Sequence, residues 1–211
     1  MITVHHLNRS QSERIVWLCE ELGLPYELKV YPRTAEGAAP PEYKAIHPQG
    51  TAPTITDGPV ALAESGAIAE YILAKYGKGR LVVAPDAPNY AEYVYWLHFG
   101  NGFFVPGAMM ALVGTMTAGA NTEAAQRWGG RLAAGYRLVE ARLGKVPYLA
   151  GPELTAADIM TVYPLTTLRM NMPRSLSDLP NIRAYLKRIG ERPAYQRAMA
   201  KGDPGMKPNL E

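Results

Sequence analysis

Met1-Ile-Thr-Val-His-His-Leu-Asn-Arg-Ser10-Gln-Ser-Glu-Arg-Ile-Val-Trp-Leu-Cys-Glu20-Glu-Leu-Gly-Leu-Pro-Tyr26 is the stretch that decides the fold class. Ile2-Thr-Val4 reads as a strand from its β-branched content. Ile15, Leu18, Cys19 and Leu22 follow the i, i+3, i+4, i+7 spacing of one helix face, and Gly23 then Pro25 stop that helix. Tyr26 to Tyr31 alternates as a second strand. Further on, Pro53-Thr-Ile55 and Val60-Ala-Leu62 predict a hairpin around Asp57-Gly58. Ser65 is the expected N-cap of a helix carrying Ile68, Tyr71 and Ile72. The order is β-α-β, a loop, then β-β-α.

After Ala84-Pro-Asp-Ala-Pro88 the strand signals give way to helical ones. One aromatic-rich helix is predicted over 90–104 and another over 123–143, with Gly144 as its stop. A third covers 158–171, and Pro180 and Pro193 open two more, proline being favoured in a first turn. Gly114 to Asn121 reads as a mobile loop, and the tail from Gly202 as loose. The expected architecture is a small α/β domain over 1–80, a linker over 81–87 and an all-helical domain over 88–211.

Composition narrows the function classes. Of the 211 residues, 47% are hydrophobic and 19% charged, which excludes a disordered chain. A single cysteine excludes a disulfide framework, a Cys-rich metal site and a CxxC redox pair. No metal is expected. The net charge of +3 is spread without a basic run, so nucleic acid is not an expected partner. The N-terminus lacks a cationic lead, and the apolar stretch 105–113 is far short of ~20 residues. A cytoplasmic protein without a membrane role is expected.

Three segments carry chemistry. Asn8 to Arg14 joins a strand to a helix N-terminus, whose free N–H groups and partial positive charge suit an anion. A thiolate there would be favoured over its thiol. The plainer reading is that Ser10 and Ser12 cap the helix. The second segment is His47-Pro-Gln-Gly-Thr-Ala-Pro53. A trans Pro53 at a strand start is the common case, whereas a cis bond would turn the Ala52 backbone toward a peptide-like ligand. The third is Glu64-Ser65-Gly66, where a helix start beside a carboxylate suits the amino-acid end of a ligand. Thr155-x-x-Asp158 is a capping-box pattern flanked by Leu154 and Ile159 at staple positions, a structural device.

In this order and spacing, the segments resemble the cytosolic glutathione transferases. Arg14 to Tyr26 is similar to the first helix of bacterial members, 47–53 to the family's cis-proline loop, and Glu64-Ser65-Gly-Ala-Ile to its glutathione carboxylate motif. Tyr95-Trp-Leu-His98, Pro152 to Ile159 and Arg192-Pro193 match later family segments. The resemblance implies a thioredoxin-like N-terminal domain and an all-helical C-terminal domain. It implies an enzyme of the serine type, similar to the bacterial, theta and delta members, because residues 1–25 hold no tyrosine and Cys19 lies on an apolar helix face. Its role would be to stabilise the glutathione thiolate and transfer it to an apolar electrophile, a detoxifying conjugation. Glutathione peroxidase or disulfide-reductase work, or a non-catalytic interaction role on the same fold, are the alternatives.

By the same resemblance Ser10 is the hydroxyl donor to the sulfur, with Ser12 as the fallback. Ala52 and Pro53 pair with the cysteinyl part, Glu64 and Ser65 hold the γ-glutamyl end, and Gln49, Thr51 and His47 line the glycine end. Gly50-Thr51 departs from the Lys or His that many members place there. Trp96, Phe99 and Phe103 are the candidates for the electrophile pocket, within a helix whose Tyr93, His98, Asn101 and Phe104 are further candidates; Met109 and Met110 suit an adaptable apolar pocket. A homodimer is implied.

Overall fold

The computed structural model describes residues 1–118 and 122–211. Its chain groups into two compact units. One is Met1–Leu81 with Gly190–Pro208, and the other is Val82–Ile189 with Asn209–Glu211. Residues 190–208, read above with the helical region, thus group with the α/β unit.

The first unit contains β1 (Ile2–Leu7), α1 (Glu13–Leu22), β2 (Tyr26–Tyr31), α2 (Pro41–Lys44), β3 (Thr54–Asp57), β4 (Val60–Ala63) and α3 (Ser65–Tyr76). The sheet order is β2-β1-β3-β4, with β1 parallel to β2 and the other pairs antiparallel. This is the expected β-α-β, β-β-α order, with the short helix α2 added in the loop. Asp57 pairs with Val60, so the hairpin turns at Gly58-Pro59, one residue beyond the expected place. Gly58 has φ +59° there, the glycine-first arrangement of a type II′ turn.

Helix α1 buries Ile15, Leu18, Cys19 and Leu22 as its periodicity requires, and also Trp17, Glu20 and Arg14. The burial of Trp17 and Glu20 comes from a helix near the end of the chain. Trp17 meets Tyr195 of α9 (Pro193–Gly202) edge to face at 5.0 Å. Glu20 accepts from Arg197 at 2.8 Å and from Lys201 at 2.5 Å, and Glu21 takes both arms of Arg192. Gly23, at φ +58°, ends α1 with Leu24 N–H donating to Cys19 O.

The second unit is helical: α4 (Tyr90–Phe99), a π-helical turn (Gly100–Phe104), α5 (Val105–Ala118), α6 (Glu123–Leu143), α7 (Ala156–Val162) and α8 (Pro180–Gly190). The expected end at 104 is corrected, because the π turn carries the helix through Pro106. Proline cannot donate to the carbonyl four residues back. Arg131 donates to that carbonyl, Gly102 O, at 3.2 Å instead. Gly100 lets the helix approach α7 closely, since a Cβ there would stand 2.5 Å from Met160 O.

Residues 114–118, read as part of a loop, form the end of α5, and residues 119–121 lie outside the described residues. Gly114 serves packing: a Cβ there would stand 3.3 Å from Ala125 of α6. From Tyr90 to Gly114 the chain is long and apolar enough to cross a membrane, with mean hydropathy 1.2. Nearly half of that window is buried within the protein, as a core helix would be.

The expected helix over 158–171 begins earlier, at Ala156, and tightens into 3₁₀ turns from Tyr163, where Pro164 removes an N–H donor. Its capping box is formed as expected. Asp158 accepts from Thr155 N at 2.9 Å, and also from Leu149 N at 2.9 Å and Tyr185 Oη at 3.0 Å. Leu154 and Ile159 are both buried. The tail is tied down rather than loose: Asp203 bonds to β1 and the loop after it, and buried Arg169 donates to Asn209 O and Glu211 O.

Candidate functional site

The connection from β1 to α1 places two serines in the interior. Ser12 occupies the N-cap position, but its side chain makes no capping bond, which corrects the capping reading for Ser12; Ser10 Oγ accepts from Ser12 N–H at 3.2 Å. The Ser12 hydroxyl is engaged elsewhere: it lies 2.7 Å from Ser10 Oγ and 2.9 Å from His6 Nδ1, and accepts from Leu7 N–H at 3.1 Å. His6 Nε2 in turn lies 3.1 Å from Asp203 Oδ2. Asp203 Oδ1 accepts from the Asn8 amide at 2.9 Å and from Arg9 N–H at 3.0 Å. Burial alone would raise the Asp203 carboxyl, but the bonds from His6, Asn8 and Arg9 hold it below the usual carboxylate value. The result is one buried chain, Asp203–His6–Ser12–Ser10. Ser12 and His6 are 0% exposed and Ser10 5%, so Ser10 is the outer hydroxyl.

A second cluster joins the start of α1 to the start of α3. Arg14, itself buried, donates to Ser65 Oγ at 2.9 Å and to the Gln11 side chain. The N-cap of α3 is Glu64, not Ser65. Ser65 is the first helical residue, and its hydroxyl accepts from Arg14 rather than capping the helix. Glu64 has φ +67°, an unfavourable conformation for a non-glycine residue, and its carboxylate accepts from Gln49 Nε2 at 2.6 Å.

Gln49 belongs to the 47–53 segment. Its N–H donates to His47 Nδ1 at 3.2 Å, and Gly50 N–H donates to His47 O at 2.9 Å. Thr51 is exposed, Ala52 half-buried, and the Ala52–Pro53 bond is cis. The structure therefore brings Gln49 together with Glu64, and Ser65 with Arg14. Lys44 was missed in the sequence. It ends α2, and its side chain lies against Gly50, with Cγ 3.5 Å from where a Cβ would stand. Its place just before His47 was the available signal.

Cys19 is fully buried in α1. Its burial, and after it the charge of Glu20, push the thiol up to about 12. In the helical unit Trp96 and Phe99 are buried in an aromatic core, with ring centroids 4.8 Å apart, and Phe103 stacks on Phe99 at 5.4 Å. Phe99 and Phe103 line a cavity of about 330 Å³ with Tyr95 and His98. A larger apolar cavity of about 430 Å³ is lined by Ala108, Leu112, Leu132, Tyr136, Pro164 and Leu168 among others, and by none of the three candidates. Among the described residues no cluster of three or more His, Cys, Asp or Glu could hold a metal ion.

The described geometry matches known proteins. The model of the glutathione S-transferase N-terminal domain matches residues 9–75, and that of the C-terminal domain matches 122–188. Glutathione S-transferase 3 of Schizosaccharomyces pombe is 32% identical, over 95% of this chain and 88% of its own. The chain belongs to the glutathione S-transferase family. GstB of Escherichia coli K12 is 29% identical over 94% of this transferase-family chain and 98% of its own. The solved structure of a glutathione S-transferase from Actinobacillus pleuropneumoniae superposes with a TM-score of 0.88. It is 38% identical and covers 96% of this chain and 93% of its own. A family member from Pseudomonas fluorescens, solved with two glutathione bound, has a TM-score of 0.77 at 26% identity, covering 94% and 92%. Ser10, Ser12, the 47–53 segment and Glu64-Ser65 fall inside the N-terminal match. His6 and Asp203 fall outside both matches.

Proposed function

We propose that this glutathione transferase binds glutathione on its α/β unit, stabilises the thiolate with the Ser10 hydroxyl and conjugates it to an apolar electrophile. The observation that carries the reading is the outer hydroxyl of Ser10, held just before α1, whose dipole favours an anion at that end. Because Ser10 donates a hydrogen bond and does not attack, no covalent intermediate on the protein is required. Glu64, with Ser65 on Arg14, is assigned to the γ-glutamyl end, and the Ala52 backbone to the cysteinyl part. Gln49, Thr51, His47 and Lys44 are assigned to the glycine end, where Lys44 brings the positive charge that Gly50-Thr51 lacks.

The electrophile in this reading is a small, largely apolar molecule. Serine-type subclass, cytoplasmic location and a homodimer belong to the same reading.

Retention on immobilised glutathione tests the binding half. The wild type is expected to be retained and eluted by free glutathione. Glu64→Gln is expected to weaken binding about tenfold or more, the scale of one charged hydrogen bond. Failure of the wild type to bind at millimolar glutathione would contradict the reading.

A further inference from the structure

The geometry points to a proton relay: the chain Ser10–Ser12–His6–Asp203 carries the glutathione thiol proton to His6 and turns the Ser10 hydroxyl toward the thiolate it leaves behind. This rests on the assignment of glutathione to Ser10 and deepens it. His6, Ser12 and Asp203 act through Ser10 and are positioning residues.

Hydrogen-bond arithmetic sets the direction of the chain. Asp203 is an acceptor, so His6 Nε2 carries the proton that bonds to it, and a neutral His6 presents Nδ1 as a bare acceptor. The Ser12 hydroxyl then donates to Nδ1 at 2.9 Å, the shorter of its two contacts with an acceptor, Leu7 O standing at 3.4 Å. Ser12 Oγ already accepts from Leu7 N–H, and its remaining lone pair accepts from Ser10. In this state the Ser10 hydrogen points inward, and Ser10 Oγ can accept only from outside or from Ser12 N–H. A thiol that donates to Ser10 Oγ completes a wire in which every hydroxyl points toward His6.

Moving one proton at each link balances the step. The S–H bond breaks and its proton bonds to Ser10 Oγ. The former Ser10 proton passes to Ser12 Oγ, and the former Ser12 proton to His6 Nδ1. The products are a thiolate, two intact hydroxyls now pointing outward and an imidazolium paired with Asp203. The same transfer that ionises the thiol therefore creates the donor that stabilises it. No oxidant, metal or external base takes part.

The surroundings of His6 suit this role. From the end of α9 it faces the Asp203 carboxylate, which is itself held by Asn8 and Arg9 N–H. From the head of α1 it faces Ser12. The α9 backbone at Gly202 closes the site, where a Cβ would stand 3.1 Å from Nε2. A buried imidazolium is tolerable only beside a fixed carboxylate, and Asp203 is fixed by three bonds. The relay also gives a reason for α9 to pack on the α/β unit: it delivers the carboxylate across 197 positions of sequence.

Histidine ring nitrogen spectra of the ¹⁵N-labelled full-length protein test this without altering it. Alone, or with S-methylglutathione, which has no thiol proton, His6 is expected in the neutral Nε2–H form. With glutathione, as the thiolate band appears in the ultraviolet, His6 is expected to become an imidazolium. A thiolate beside a neutral His6, or a His6 charged before glutathione is added, overturns the relay and leaves the glutathione reading intact. Binding of neither ligand overturns the glutathione reading itself, and the relay with it. Asp203→Asn gives a second readout. The pH profile of kcat should move to higher pH by about one unit, a tenfold weaker thiol ionisation, with KM for glutathione held and Asp203→Glu restoring most of the rate. An unmoved profile in a folded Asp203→Asn variant overturns the relay.

Discussion

Ser10→Ala is expected to lower the conjugation rate by about 10²–10³-fold, the scale on which removing one preorganised donor to a developing anion acts. The alanine leaves the rest of the chain in place. Ser12 keeps its bonds to His6 and to Leu7 N–H, and only the outer hydroxyl is lost. KM for glutathione should change much less than kcat, because the ends of the peptide are assigned to Glu64, Ser65 and the 47–53 segment. Ser12→Ala interrupts the chain but keeps the outer hydroxyl, so its loss should be smaller. Steady-state kinetics of both variants with a small aryl halide check the order. A silent Ser10→Ala beside a strongly impaired Ser12→Ala would reverse the roles of the two serines.

Asp158→Ala should unfold the helical unit or bring it close to unfolding. The substitution removes one carboxylate and leaves Leu149 N–H, Thr155 N–H and Tyr185 O–H buried without their acceptor. Each orphaned donor costs about 1–3 kcal/mol, so the three together cost about 3–9 kcal/mol, against a typical stability of about 5–15 kcal/mol. At about 2–4 °C per kcal/mol for a chain of this size, Tm should fall by about 6 °C or more. Burial pushes the Asp158 carboxyl up to about 6 against the bonds that would lower it. The sign follows from proton binding. Between an unfolded pKa of about 4 and this folded value the native state holds the extra proton, so the Asp158 contribution falls as pH rises through that window. Thermal melts from about pH 4 to 7 should show that decline in the wild type and a flatter curve in Asp158→Asn.

Much of this architecture is legible where local chemistry decides it. The periodic face of α1, Gly23 after it, and Thr155 with Asp158 three residues on are signals within one or two turns of chain. They lead to the right elements. Ser10, Ser12, Glu64 and Ser65 could be singled out because each sits at a strand-to-helix junction. What was not legible depends on partners far apart in sequence. Ser65 looks like an N-cap until Arg14, 51 positions away, is seen to occupy its hydroxyl. His6 looks like an ordinary strand residue until Asp203 meets it. Gly114 looks like the start of a loop because small residues read as flexible, yet its missing side chain lets α5 lie close on α6. The tail looks loose by composition, and Arg169 holds its end.

Ultraviolet difference titration of bound glutathione from about pH 5 to 9 tests the central claim most directly. The thiolate band is expected to appear well below the free thiol's pKa of about 8.5 in the wild type, and to move back toward that value in Ser10→Ala. A bound glutathione that ionises like the free thiol, or whose ionisation is the same in both proteins, would contradict thiolate stabilisation by Ser10.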